Sequence, residues 1–239
     1  MKKCKMSIAK IESFSCVDGP GIRTVIFFNN CPLKCKFCHN PEMQHEINKI
    51  DINYRNLIKL ILNNKPYYKN NGGVTFSGGE PLLSSKQLYK LAKKLKKENI
   101  NIVLDTSGYV DNVDLKLLKL FDYILFDIKS IYPNKFKYIT GGNINVIDNF
   151  INELNKINAK VIIRVVIIPG INDSNKYMLD LKKYISKIKN VIKIDFLPFH
   201  TLGFSKYQDS GIDNPFINMK AMDKYKCIKL YEYFSNIQK

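Results

Sequence analysis

The sequence predicts an α/β protein built on a parallel sheet with helices outside it, and three observations carry that prediction. Short β-branched runs alternate with amphipathic helical patterns about six times, the pattern of parallel strands joined by right-handed crossovers. Unusual polar residues fall where the apolar runs end, and the carboxyl ends of parallel strands are where ligand-binding loops converge. No linker, low-complexity tail or second pattern of elements breaks the alternation, so residues 1–239 read as one domain. Two architectures satisfy this pattern: a six-stranded sheet curled into an open partial barrel, and a doubly wound open sheet.

The elements follow in order. FSCVDGPGIR, punctuated by Gly-Pro-Gly, reads as a turn leading into the first strand, Thr24–Phe28, which runs out into NNCPLKCKFCHNP. A helix over Tyr54–Asn63 precedes the strand Val74–Ser77, which ends on SGGEP. The helix Lys86–Glu98 leads to the strand Ile102–Asp105 and its DTSG terminus. Val113–Leu120 is helical, and the strand Tyr123–Asp127 ends on DIK. After the helix Ile144–Ile157, the strand Val161–Ile167 carries Arg164 and stops at IPG. Lys176–Lys187 is helical, Ile192–Leu197 is a strand ending on PFH, and Ala221–Ile237 is the last helix.

Length and composition exclude several classes. A chain of 239 residues buries roughly 70–75% of its unfolded surface and needs no disulfide scaffold. MKKCKMSIAKIESF lacks the apolar run of a signal peptide, and no stretch is long and apolar enough to span a membrane, so a cytoplasmic location is expected. The net charge of +17 comes overwhelmingly from lysines spread along helices, among abundant Asn and Ile, with few arginines. That is the signature of solvated lysine faces rather than of phosphate recognition, and no nucleic-acid partner is expected. A basic docking face for an acidic protein partner is the alternative.

Cys31, Cys35 and Cys38 stand at C-x3-C-x2-C spacing. Closed structural zinc sites take four ligands, commonly with a second pair downstream, and none is present here. His39 would be a fourth ligand only by straining a loop already tied at Cys38. A cubane iron–sulfur cluster normally takes one thiolate per iron, so three cysteines leave one iron open for a ligand that is not protein. Cys4, Cys16 and Cys227 have no cluster spacing and read as free thiols, Cys16 adjoining DGPGIR.

The other strand ends add a consistent set. Gly78 and Gly79 allow close backbone approach, and Glu80 is a carboxylate suited to an ammonium group, or else a solvent-facing acid in a tight turn. Asp105-Thr106 and Asp127-Ile128-Lys129 bring two carboxylates and an ammonium to one mouth, where ordinary ion pairing is also open. Arg164 interrupts VIIRVVIIPG, and an unpaired guanidinium there is costly, so it should face a polar lumen and meet an acid or a ligand. His200 closes the sixth strand.

The cysteine loop with Phe37 as its aromatic, C-x3-C-x-aromatic-C, resembles the signature of the radical S-adenosylmethionine (radical SAM) enzymes. With FSCVDGPGIR, CHNPE, SGGEP, DTSG, DIK and LPFH, nearly the whole chain resembles the branch that activates glycyl-radical enzymes, and within it the activases of pyruvate formate-lyase. The chain runs from His39-Asn40-Pro41 directly into the next βα unit, without the ferredoxin-like insert of many other activases. Phe37 and Phe199 stand where Tyr is common, losing hydroxyls but keeping aromatic packing.

The resemblance implies the partial (β/α)6 barrel, a [4Fe–4S] cluster on Cys31, Cys35 and Cys38, and S-adenosylmethionine on the open iron. It implies that the reduced cluster cleaves the cofactor to a 5′-deoxyadenosyl radical, which takes a hydrogen from a backbone glycine of pyruvate formate-lyase. It places Phe37, Cys38, His39, Gly78, Gly79, Glu80, Asp127, Ile128, Lys129, Arg164 and His200 around the cofactor. Glu80 and Gly79 would serve the methionyl amino group, Lys129 the carboxylate and His200 the adenosine. Asp105, Thr106 and Asp127 would hold a monovalent cation, sodium or potassium, and Asp18 would meet the partner's glycyl-radical loop. A one-electron donor such as flavodoxin or ferredoxin, and a monomeric activase, complete the expectation. A radical SAM enzyme acting on another glycyl-radical enzyme or on a small molecule such as a deazaguanine precursor, and a non-enzymatic redox or sensor module, are the alternatives.

Overall fold

The structure is a computed structural model and describes residues 6–237; Cys4 lies outside the described residues. Its strands are β1 (Ile8–Ser15), β2 (Arg23–Phe28), β3 (Gly73–Gly78), β4 (Asn101–Thr106), β5 (Tyr123–Asp127), β6 (Val161–Ile167) and β7 (Val191–Pro198). Its helices are α1 (Pro41–Gln44), α2 (Tyr54–Tyr68), α3 (Ser85–Lys97), α4 (Leu115–Leu118), α5 (Pro133–Thr140), α6 (Ile144–Leu154), α7 (Asn175–Ile185), α8 (Phe204–Asp209) and α9 (Lys224–Asn236), with a 3-10 turn at Pro81–Ser84.

The strands form one sheet in the order β1 to β7, with β2 to β7 mutually parallel and β1 antiparallel to β2. A doubly wound sheet reverses its strand order at a switch point. Here the order never reverses. The two faces also differ. Outward residues such as Phe76, Leu104, Phe126 and Ile163 join the main core with the helices, whereas inward residues form small separate clusters such as Val103, Leu125 and Ile162. Side chains alternate along a strand, so one face feeds a helix-covered core and the other lines a lumen. The architecture is the curled partial barrel.

The six expected strands are present within a residue or two, and β1 is an addition to them. Local sequence also explains the outer layer. In α3, Leu88, Leu91, Ala92 and Leu95 recur at helical spacing and are buried against the sheet. Side chains of Asn53, Asp114, Asn143, Ser174 and Asp223 accept backbone N–H bonds at the starts of α2, α4, α6, α7 and α9. The third expected helix, Val113–Leu120, contracts to α4, and the last, Ala221–Ile237, to α9. Among the described residues, no helix is long and apolar enough to cross a membrane.

The lumen is closed at the strand N-termini by Arg23, which is fully buried. Its guanidinium donates to Thr75 Oγ1 at 2.7 Å, the Pro20 carbonyl at 2.6 Å, the Val74 carbonyl at 3.0 Å and Asn101 Oδ1 at 2.9 Å. One side chain thereby ties together β2, β3, β4 and the turn ahead of β2.

Candidate active site

The carboxyl ends of the strands surround a cavity of about 430 Å³, within the usual range for small-molecule sites. The cysteine loop, after β2, forms one wall. It is pinned from outside by α5, whose carbonyls of Thr140 and Ile139 accept from the Lys34 and Lys36 N–H groups, both at 2.8 Å. Leu33 is fully buried beneath it. These anchors bring Cys31, Cys35 and Cys38 to the same cavity. Burial pushes the thiols up, Cys31 to about 12 and Cys35 and Cys38 likewise upward.

Opposite the cysteines lies a charged layer formed by inward-facing positions of β4, β5 and β6. Asp127 and Arg164 are cross-strand neighbours in the β5–β6 register. Arg164 Nε donates to Asp127 Oδ1 at 2.8 Å, and Arg164 Nη2 reaches Asp105 Oδ1. Lys129 Nζ donates to Asp127 Oδ2 at 2.9 Å, and Ser77 Oγ to Asp105 Oδ2 at 2.6 Å. Burial opposes ionisation of Asp127, but Arg164 and Lys129 outweigh it and hold its carboxyl down to about 2. Asp105 has only one cation, and burial with the adjacent Asp127 charge raises its pKa. For Lys129, burial favours the neutral amine, yet Asp127 more than compensates and the ammonium is held charged. The ammonium also stands 5.7 Å from the centre of the Phe37 ring.

Glu80 is turned away from this layer. It is fully buried, and its oxygens accept from Thr106 Oγ1 at 2.7 Å, Ser107 Oγ at 2.8 Å, Ser107 N at 3.1 Å and Leu82 N at 3.2 Å. Burial raises its pKa against those hydrogen bonds. The carboxyl joins the ends of β3 and β4. Its glycine neighbours serve backbone packing: a Cβ on Gly79 would stand 2.1 Å from the Asn30 carbonyl oxygen, and one on Gly78, where φ is +105°, 2.5 Å from Phe28 N. Gly79 N donates to Phe28 O and Glu80 N to Asn30 O, both at 2.8 Å, fastening the SGGE turn to the root of the cysteine loop.

On the remaining side, the His39 and His200 rings stack with centroids 4.1 Å apart, and His39 Nε2 lies 3.3 Å from the His200 carbonyl. Burial, aided by His200, lowers the His39 pKa to about 4. Asp18 borders the cavity from the turn before β2, its carboxylate accepting from Ser15 Oγ and its carbonyl from Thr75 Oγ1 at 2.7 Å.

The cavity therefore unites Asp18, Cys31, Cys35, Phe37, Cys38, His39, Gly78, Gly79, Asp105, Thr106, Asp127, Lys129, Arg164 and His200. Glu80 sits behind it, and Ile128 packs in the outer core. Sequence reading omitted Ser77, Ser107, Asn40 and Gln44, which also line the cavity. Ser77 was within reach of it, since the alternation that turns Thr75 inward does the same for Ser77.

The donor set suits an iron–sulfur cluster and a polar organic cofactor. Three thiols open on one space, whereas among the described residues no three His, Cys, Asp or Glu side chains converge as a site for a single metal ion. Nδ1 of His200 is buried without a protein partner, leaving a hydrogen-bonding position for a ligand.

Comparison with known proteins agrees. The Radical SAM superfamily model matches residues 25–182, more than half of the chain, and this defines the class: a radical SAM protein, for which a [4Fe–4S] cluster and S-adenosylmethionine are general features. Among solved structures, the fold is similar to a domain of pyruvate-formate lyase-activating enzyme from Bacteroides vulgatus, with TM-score 0.57, 19% identity, and coverage of 69% of this chain and 94% of that one. It is also similar to Streptococcus suis SuiB bound to S-adenosylmethionine, with TM-score 0.63, 13% identity, and coverage of 89% and 48%. Sequence relatives are nearer. The pyruvate formate-lyase-activating enzyme of Clostridium pasteurianum is 40% identical, covering 96% of this chain and 97% of the relative. That of Staphylococcus epidermidis is 36% identical, covering 96% and 95%. The chain belongs to the pyruvate formate-lyase-activating enzyme family of the radical SAM superfamily.

Proposed function

We propose that this chain activates pyruvate formate-lyase by generating a radical on one of its backbone glycines. The observation that carries the reading is that three thiols and the Lys129 ammonium, hydrogen-bonded to Asp127, face one cavity in a chain 40% identical to a named activating enzyme. When bound, the cluster supplies the electron that converts S-adenosylmethionine into a hydrogen-abstracting radical.

The chain's own residues bind, orient and exclude water. Cys31, Cys35 and Cys38 would hold three irons, losing their thiol protons as they bind. Lys129 would meet the cofactor carboxylate while Asp127 keeps it charged. The backbone at Gly79, braced by Glu80 from behind, would receive the amino group, and His200 the adenosine. Asp105 and Asp127 are already balanced by Arg164 and Lys129. Asp105, Thr106 and Asp127, beside the place read for the cofactor carboxylate, would hold the sodium or potassium ion. Asp18, at the cavity edge near the exposed Phe14 and Val17, would meet the partner's glycyl loop.

We further read residues 1–239 as one domain acting as a cytoplasmic monomer, with a one-electron donor such as flavodoxin or ferredoxin. The test is anaerobic incubation of cluster-loaded protein with S-adenosylmethionine, reductant and pyruvate formate-lyase, followed by electron paramagnetic resonance. A glycyl doublet is expected, and its yield should fall in Asp18→Asn while cofactor cleavage persists. Cofactor cleavage without any glycyl signal would defeat the assignment of substrate.

A further inference from the structure

One segment far away in sequence lies across the cysteine loop. It begins at the end of β7 and runs into α8. His200 stacks on His39, and the bare Cα of Gly203 lets the turn ahead of α8 pass so close that a Cβ would stand 3.1 Å from His39 Cα. Lys206 Nζ donates to Asn40 Oδ1 at 2.6 Å and stands 3.6 Å from Glu42 Oε1. The Tyr207 hydroxyl lies 3.5 Å from the Lys36 carbonyl. Asn40 faces two ways: its side chain is held by Lys206, and its backbone N–H donates to Cys38 Sγ at 3.4 Å.

This chain of contacts ends on a sulfur atom. Reduction of a thiolate-held cluster by an external one-electron donor makes and breaks no bond; it adds one negative charge. A nearby cation and an N–H directed at a ligating sulfur both favour the state with that added charge. We propose that Lys206 is a positioning residue for the cluster, holding Asn40 so that its N–H meets Cys38 and raising the cluster's reduction potential through that bond and its own charge. The inference rests on the reading of Cys31, Cys35 and Cys38 as cluster ligands.

The experiment is a redox titration of the full chain followed by electron paramagnetic resonance, after iron and sulfide analysis, for Lys206→Met and Lys206→Arg. Lys206→Met should load its cluster and show a reduced-to-oxidised ratio about threefold to tenfold lower at the unsubstituted chain's midpoint. Tenfold corresponds to about 59 mV for one electron. Lys206→Arg should recover most of that loss. A fully loaded Lys206→Met with an unchanged midpoint overturns the proposal, as does an arginine variant shifted as far as the methionine variant. If Lys206→Met fails to load, Asn40→Ala takes its place, because it keeps the N–H but frees it from Lys206; a smaller shift in the same direction supports the proposal and no shift overturns it. An unsubstituted chain that binds no iron would instead defeat the cluster reading itself.

Discussion

The two ends of the barrel each bury an arginine, and they neutralise it in opposite ways. Arg23 at the N-terminal end donates only to neutral oxygens, and burial lowers its pKa to about 10. Arg164 at the C-terminal end sits between two carboxylates, and although burial opposes its charge, Asp105 and Asp127 hold it firmly protonated. Neutral carbonyls of the backbone are fixed in place and cannot be exchanged. Side-chain carboxylates with an ammonium beside them can trade one ion for another when a charged ligand arrives. The same residue type therefore marks a floor at one end and a binding surface at the other.

The contrast breaks most visibly at the rim. Cys31→Ala, Cys35→Ala or Cys38→Ala should each abolish cofactor cleavage and cluster assembly, whereas Cys227→Ala, on the buried side of α9, should leave both nearly intact; iron analysis and cleavage assays decide. At the floor, Arg23→Leu should cost roughly 3 kcal/mol or more of folding stability in urea unfolding, because several buried acceptors lose their donor at once. The folded fraction should bind S-adenosylmethionine as before, and a loss of affinity instead would erase the distinction between the two ends.

Lys129→Met removes the cation with the least protein commitment. Cofactor affinity should fall by about 2 kcal/mol, more than tenfold in Kd, with cluster content unchanged. Calorimetric binding would measure it. The smallest effect is on acid stability. Asp127 has a folded pKa of about 2, below its ordinary value of 3.8. It therefore stabilises the fold at pH values above 3.8, and that contribution is lost as pH falls through the interval to about 2. Unfolding measured across that interval should show a flatter pH dependence in Asp127→Asn than in the unsubstituted chain.

Much of this was legible because it is local. Apolar alternation in the interior strands, the cysteine spacing, and the placement of Arg164 amid VIIRVVIIPG all follow from neighbours in sequence. The antiparallel β1 was not, since its register slips between Ile8 and Lys10 and between Glu12 and Ser15, which blurs the period of two. α5 was missed as a short turn of helix opened by Pro133. The direction of Glu80 was equally hidden: an acid after two glycines points to a ligand or back into the protein, and only the hydroxyls of Thr106 and Ser107, on another strand, decide. Arg23 drew no reading as a buried residue, because its acceptors lie on three other segments.

Because every strand pairs only with its neighbours in the chain, the sheet can grow in the direction of synthesis, each new strand finding its partner already in place. β7 and the segment through Tyr207 arrive after all the other strands. Until they do, the cysteine loop is anchored to α5 but lacks the cover that His200, Gly203 and Tyr207 give it in the folded chain. Thiol labelling of ribosome-bound chains of increasing length reads that order directly: Cys35 should remain reactive after β3 and β4 have emerged and lose its reactivity once the segment through Tyr207 has.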